Sequence, residues 1–127
     1  MTLLNLLIAD DDPDDARLVA DKVKRAGFEL AWCRVDDEVA FSRELAIADL
    51  VICDFSMPRF SPIRALEVIR ECGLATPLIL VSGNVSEECA RQIMTLGAVS
   101  YLLKDRLERL GQAVHDALRG CSSEPAA

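Results

Sequence analysis

Short, nearly unbroken apolar runs alternate with amphipathic stretches along this chain. The runs fall at Leu3–Ala9, Phe28–Val35, Leu50–Cys53, Leu78–Val81 and Tyr101–Leu103. A strand with one face in water alternates apolar and polar residues, whereas a strand covered on both faces is apolar throughout. The runs are of the second kind and predict central parallel strands. The second run, "FELAWCR", is more mixed and predicts an edge strand. Between the runs, Ala16, Val19, Ala20, Val23 and Ala26 recur at helical spacing, with Gly27 placed to stop the helix. Ile63, Leu66 and Ile69 predict another helix. Ala90, Ile93 and Met94 predict a further one closed by Gly97, and Leu107, Leu110, Val114 and Leu118 form the stripe of a last one. Five strands alternating with five helices make a three-layer open α/β sheet. Residues 1–120 read as one domain, and "CSSEPAA", residues 121–127, as a frayed tail or the start of a linker.

That architecture says where to look for chemistry. In open parallel sheets, ligands bind in the crevice beyond the carboxyl ends of the strands. Asp10 and Asp11 end the first strand, Asp54 the third, Ser82 the fourth and Lys104 the fifth, so all five converge on one edge of the sheet. Asp10 and Asp11 open a dense acidic run in which five aspartates occupy six positions. Asp12-Pro13 reads as a helix N-cap followed by proline at the first helical position. Asp14 and Asp15 then fall in the first turn, where their charge complements the helix dipole. Asp10 and Asp11 precede the cap and need another explanation.

Three carboxylates in one small site raise one another's pKa unless a cation is present. An all-oxygen donor set with few protein ligands suits Mg²⁺, which keeps several waters and favours a phosphate alongside. Zinc or copper would want His or Cys, and the single histidine, His115, lies on the last helix in a position that reads as solvated. Lys104 at the mouth of an acidic site would meet an anionic group, and Ser82 offers a hydroxyl donor. A carboxylate nucleophile, a metal, a cation and a hydroxyl together suit phosphoryl transfer.

Composition narrows the classes further. The 127 residues carry a net charge of −7, which argues against direct nucleic-acid binding. No apolar run approaches the roughly 20 residues that span a bilayer, and the start lacks the basic flank of a secretory signal, so the expectation is a soluble, cytoplasmic protein. The five cysteines are widely spread without a C-x-x-C pair, which fits reduced core thiols rather than a zinc or disulfide framework.

The segments "IADDDP", "DLVICDFSMP", "TPLILVSG" and "GAVSYLLKD", in this order and spacing, resemble the receiver domain of two-component response regulators, the CheY-like family, over roughly residues 3 to 120. The resemblance implies a flavodoxin-like sheet in the order 2-1-3-4-5. It implies that Asp54 is the phosphoacceptor, attacking the phosphohistidine of a sensor histidine kinase or phosphotransfer protein, or a small phosphodonor. Asp11 and Asp54 would ligate Mg²⁺ with the backbone carbonyl of Ser56, and Asp10 would act through water. Lys104 would hold the phosphoryl oxygens, Ser82 would bond the new phosphate, and Tyr101 would turn inward as the switch aromatic. Tyr101 also reads as a plain core aromatic. Ser56 and Asn84 would tune loss of the phosphoryl group. The family acts as a switch rather than an enzyme with an external substrate.

The sequence departs from that pattern in two places. Arg59-Phe60-Ser61-Pro62 replaces the usual glycine-containing loop, though Ser61-Pro62 suits a helix cap. Asp105 follows Lys104 where proline is usual, which leaves a cis peptide there in doubt and offers a cap for the final helix. "YLLKD" is similar to receivers fused to PAS, histidine-kinase or cyclic-di-GMP modules, which implies an output domain in cis or a partner in trans. Homodimers through the face of the fourth helix, fifth strand and fifth helix are a further expectation. The alternatives are a pseudo-receiver that binds partners without phosphorylation, a magnesium-dependent phosphatase and an FMN carrier. The set Asp10, Asp11, Asp54, Ser82 and Lys104 speaks against the first. The phosphatase would want D-x-D-x-[TV], where residues 10–14 read Asp-Asp-Asp-Pro-Asp. The FMN carrier would want a phosphate loop where this chain has carboxylates.

Overall fold

A computed structural model describes residues 3–83 and 86–123. Five strands, β1 (Leu3–Ala9), β2 (Glu29–Val35), β3 (Leu50–Cys53), β4 (Leu78–Ser82) and β5 (Ser100–Leu103), form one sheet in the order β2-β1-β3-β4-β5. Every pairing is parallel. The helices are α1 (Pro13–Arg25), α2 (Glu38–Leu45), α3 (Pro62–Glu71), α4 (Glu87–Thr95) and α5 (Leu110–Ser123). The fold is thus the expected three-layer sandwich, with β2 at an edge.

The unbroken apolar runs are explained by the two cores. Leu7, Ala9, Val51, Cys53, Leu78 and Leu80 face a core closed by Phe41 and Leu45 of α2, Ala65, Leu66 and Ile69 of α3, and Ile93 of α4. Their chain neighbours Leu6, Ile8, Leu50, Ile52, Ile79 and Val81 face Val19 and Val23 of α1 and Leu110 and Val114 of α5. Successive residues point to opposite faces, so a strand buried on both must be apolar at every position.

Helix starts follow the sequence closely. Asp12 caps α1 by accepting from the Asp14 amide at 2.9 Å, with Pro13 in the first turn. Ser61 caps α3 by accepting from the Arg64 amide at 3.1 Å. Gly27 and Gly97, at φ 105° and 131°, follow α1 and α4 as stop residues in a backbone region costly for other side chains.

Three expectations need correction. The pattern gave no residues for the helix between the second and third strands, which is α2, an eight-residue helix that buries only Phe41 and Leu45. Ile63 and Met94 leave the buried stripes and are 40% and 39% exposed; Ala65, Leu66, Val68 and Ile69 fill the inner face of α3, and Ala90 and Ile93 that of α4. Asp105 caps no helix: Lys104–Arg109 form a 3-10 turn without a side-chain cap, Leu107 belongs to that turn, and α5 begins only at Leu110. His115 is exposed, as expected, and its ring also lies against Phe28, with centroids 4.6 Å apart. No cis peptide bond occurs among the described residues. The backbone of α5 stays helical through Ser123, three residues past the boundary expected at 120.

The α1–α5 contact is tight at one point. A Cβ on Gly111 would lie 2.6 Å from the Cβ of Ala26, well inside van der Waals contact. Alanine ordinarily stabilises a helix interior by about 1 kcal/mol over glycine. Gly111→Ala should instead lower stability by about 1–3 kcal/mol, as overpacking does. A drop in the thermal midpoint followed by circular dichroism would show it, and a rise would mean that α5 slides freely on α1.

Candidate functional site

The site is built on backbone ladders that continue one residue past the strands. The Asp10 amide donates to the Val35 carbonyl at 3.0 Å, and the Asp54 amide donates to the Ala9 carbonyl at 2.8 Å. These bonds fix Asp10 and Asp54 side by side at the carboxyl edge of β1 and β3. Both are buried, at 3% and 6% exposure, while Asp11 reaches solvent. One carboxylate oxygen from each of Asp10, Asp11 and Asp54 lies within 4.8 Å of the others. Asp10 also accepts from the Asp12 amide at 3.0 Å, which ties the cluster to the start of α1. Arg34 of β2 donates to the Asp10 backbone carbonyl at 3.2 Å.

Lys104 enters from the opposite side. Leu103 pairs with Ser82 in the β4–β5 ladder, which sets Lys104 immediately beyond the end of β5. Its Nζ lies 3.2 Å from Asp10 Oδ2, 3.3 Å from Asp54 Oδ1 and 2.7 Å from Asp15 Oδ2. The shortest of these contacts is not legible in the sequence: helical position gives Asp15 only a role toward the dipole, and a contact across 89 residues leaves no local signal. Lys104 is thus both partly buried and fully engaged.

The electrostatics follow from that geometry. Burial raises the pKa of Asp10, opposed by the Asp12 amide and by Lys104. Burial likewise raises that of Asp54, and the negative charge of Asp10 adds to it, while Lys104 and the Phe55 amide pull it down. Burial alone would depress Lys104, but the Asp15 hydrogen bond and the charges of Asp54 and Asp10 outweigh it, so its pKa is raised. Beneath the site, burial raises the Cys53 thiol well above its usual range, and the thiol donates to the Asp54 carbonyl at 3.4 Å. It is a core residue rather than a nucleophile.

Donor chemistry fits a hard divalent ion. The cluster is all oxygen, and its two buried carboxylates share one lysine that a third carboxylate also claims. Ser82 is buried at the end of β4, on the strand beside Lys104. Ser56 is exposed in the loop after β3. Phe60 anchors that loop, with its ring centroid 4.9 Å from that of Phe41 in α2. Arg64 follows at the start of α3 and grips Glu38 of α2 through two 2.8 Å bonds, so the departure in the 59–62 segment is absorbed by contacts to α2. Tyr101 is half-buried on β5 and packs against the α2–α3–α4 core. Asn84 lies outside the described residues. A cavity of about 550 Å³ opens at the far edge of the sheet, lined by Ile69, Pro77, Leu96, Val99 and Ala117 among others, and holds none of these residues.

The family model of the response regulator receiver domain matches residues 6–115. The chain belongs to the response regulator receiver family. The receiver is 31% identical to the regulatory protein AtoC of Escherichia coli over 94% of its own length and 26% of that protein. It is 29% identical to the chemotaxis protein CheY of Treponema pallidum, over 86% of this chain and 81% of that one. It also matches the sensor histidine kinase RcsC of Salmonella typhimurium at 27% identity, over 78% of this chain and 10% of the kinase. The chain spans about a quarter of the length of the transcriptional regulators it matches, such as ZraR of Salmonella typhimurium, where it covers 26%. The signal receiver domain of NarL from Mycobacterium tuberculosis superposes with a TM-score of 0.80 at 22% identity, covering 94% of this chain and 99% of that one. The receiver is thus a CheY-like two-component signalling module. Among the described residues no helix is long and apolar enough to cross a membrane.

The raised pKa of Asp54 has a stability consequence with a definite sign. A carboxylate whose folded pKa exceeds its unfolded value, about 3.9, costs stability once both states are ionised and nothing below that value. Without divalent ions, Asp54→Asn should therefore raise the thermal midpoint near neutral pH by a few degrees, the scale of a single substitution. The gain should fade as pH drops toward 4. Millimolar Mg²⁺ should stabilise the wild type and the variant unequally, favouring the wild type. Calorimetry at several pH values checks both. An Asp54→Asn midpoint below that of the wild type at pH 7 would mean that Lys104 more than compensates the buried charge.

Proposed function

We propose that this receiver is a phosphorylation-operated switch in which Asp54 is the phosphoacceptor. The observation that supports this best is the pairing of a buried carboxylate, Asp54, with a partly buried ammonium 3.3 Å away and two further carboxylates beside it. In the reaction, a carboxylate oxygen of Asp54 attacks the phosphorus of a phosphohistidine. The P–N bond breaks, its electron pair leaves on the imidazole nitrogen, and that nitrogen takes up a proton. With acetyl phosphate a P–O bond breaks and acetate leaves. Burial makes the Asp54 carboxylate more basic, which favours it as a nucleophile over the exposed Asp11. Lys104 meets the charge that develops on the transferring oxygens, and Ser82 bonds the phosphoryl group once formed. Asp11 and Asp54, with the backbone carbonyl of Ser56, would hold Mg²⁺, and Asp10 would act through water. When bound, the ion neutralises carboxylate and phosphoryl charge that Lys104 alone cannot.

The modified aspartate carries about −1.5 to −2 charge in place of −1. That change biases the β4–α4 and β5–α5 segments between two arrangements, with Tyr101 moving toward the core in the modified state. The donor is a sensor histidine kinase or phosphotransfer protein. The reader is an output domain in cis or a partner in trans, consistent with regulators and kinases among the relatives. Ser56 and Asn84 tune how long the phosphoryl group lasts.

Intact mass after incubation with acetyl phosphate should rise by one phosphoryl group when Mg²⁺ is present. The gain should vanish in Asp54→Asn and fall at least tenfold in rate in Lys104→Met, which removes a charge aimed at the transition state. A folded wild-type protein that gains nothing from acetyl phosphate or from a phosphorylated kinase would instead be a phosphorylation-independent interaction module.

A further inference from the structure

Lys104 is held more closely by Asp15 than by either carboxylate of the acidic cluster. An ammonium has three protons, and here three carboxylate oxygens lie within hydrogen-bond or ion-pair reach, at 2.7, 3.2 and 3.3 Å. A phosphoryl oxygen on Asp54 therefore gains a bond from Lys104 only by displacing one of them. Asp54 changes its charge when it is modified, and Asp10 is engaged with the Asp12 amide and the acidic cluster. Asp15 does neither. It sits in the first turn of α1, two residues from the Pro13 start and outside the acidic cluster. It is also more solvent-exposed than Asp10 or Asp54, with its side chain 38% exposed against 4% and 7%.

We infer that Asp15 is a positioning residue that acts through Lys104 and competes with the phosphoryl group for its ammonium. This rests on Asp54 being the acceptor. Its effect is to keep Lys104 charged and docked toward α1 in the resting state, and to weaken the modified state by one fixed negative charge. The acidic residue in the first turn of α1 thus sets how tightly the site holds a phosphoryl group, apart from the residues that perform the transfer.

Beryllofluoride, which adds to a carboxylate as a phosphoryl mimic, tests this without turnover. Its affinity in the presence of Mg²⁺ is measured by calorimetric titration for wild type, Asp15→Asn, Asp15→Glu and Lys104→Met, and for Asp15→Asn combined with Lys104→Met. Asp15→Asn keeps the side-chain size and removes the charge, and should tighten binding about three- to tenfold, the scale of one charge interaction near a protein surface. Asp15→Glu should restore the wild-type value, and Asp15→Asn should add little where Lys104 is already Met. Unchanged or weaker binding in Asp15→Asn overturns the inference, as does a full gain without Lys104, which would mean direct repulsion of the ligand. A purely structural salt bridge would lower the thermal midpoint and leave the affinity alone, which also overturns it. If the wild type itself binds no beryllofluoride while folded, the acceptor reading fails and takes this inference with it.

Discussion

Four carboxylates gather at the carboxyl edge of the sheet, and one lysine answers three of them. Charge is therefore the constraint around which this molecule is arranged. Two of the carboxylates, Asp10 and Asp54, are buried, which costs free energy that a salt bridge only partly returns. The backbone holds them there regardless, because their amides are committed to the Val35 and Ala9 carbonyls. The sheet thus keeps a site under electrostatic tension, and the tension is relieved by whatever cation or group the site takes up. Stability given up at a functional centre in this way is recovered from the two apolar cores.

The cores account for the rigidity that such a site needs. β1, β3 and β4 are buried on both faces, so a one-residue slip in any of them would exchange the residues serving the two layers. Register is fixed strongly, and with it the relative heights of Asp10, Asp54 and Ser82. After β5 the chain stays anchored, because Leu107 and Leu110 return at once to the α1–α5 core. Arg64 and Phe60 brace the loop after β3 against α2, which confines motion on that side.

Much of this was legible because it follows from local rules. Strand ends could be read from where apolar runs stop, caps from Asp12-Pro13 and Ser61-Pro62, and the convergence of Asp10, Asp54, Ser82 and Lys104 from the geometry of parallel sheets. What could not be read has physical reasons. The helix α2 is short and buries two side chains, so its pattern is lost among charged neighbours. Ile63 and Met94 match helical spacing as well as their neighbours do, and only the direction from which the sheet approaches decides that they face out. Asp105 looked like a cap because nothing local announces a 3-10 turn before α5. Asp15 was hidden for the opposite reason: its local explanation was sufficient, and nothing nearby called for a second one.

The Lys104–Asp15 bond joins residues 89 positions apart, and the cluster it serves draws on the first, third and fifth strands. Long-range contacts of this kind form only once the loop-closure entropy between them has been paid. During synthesis, a nascent chain that has emerged through β4 already carries Asp10, Asp11 and Asp54 but lacks Lys104 to balance them. Such an intermediate has the acidic residues without the means to stabilise transferred charge. Under the proposed function, the site is complete only when the last strand docks, so that competence to accept a phosphoryl group and completion of the fold would arrive as one event.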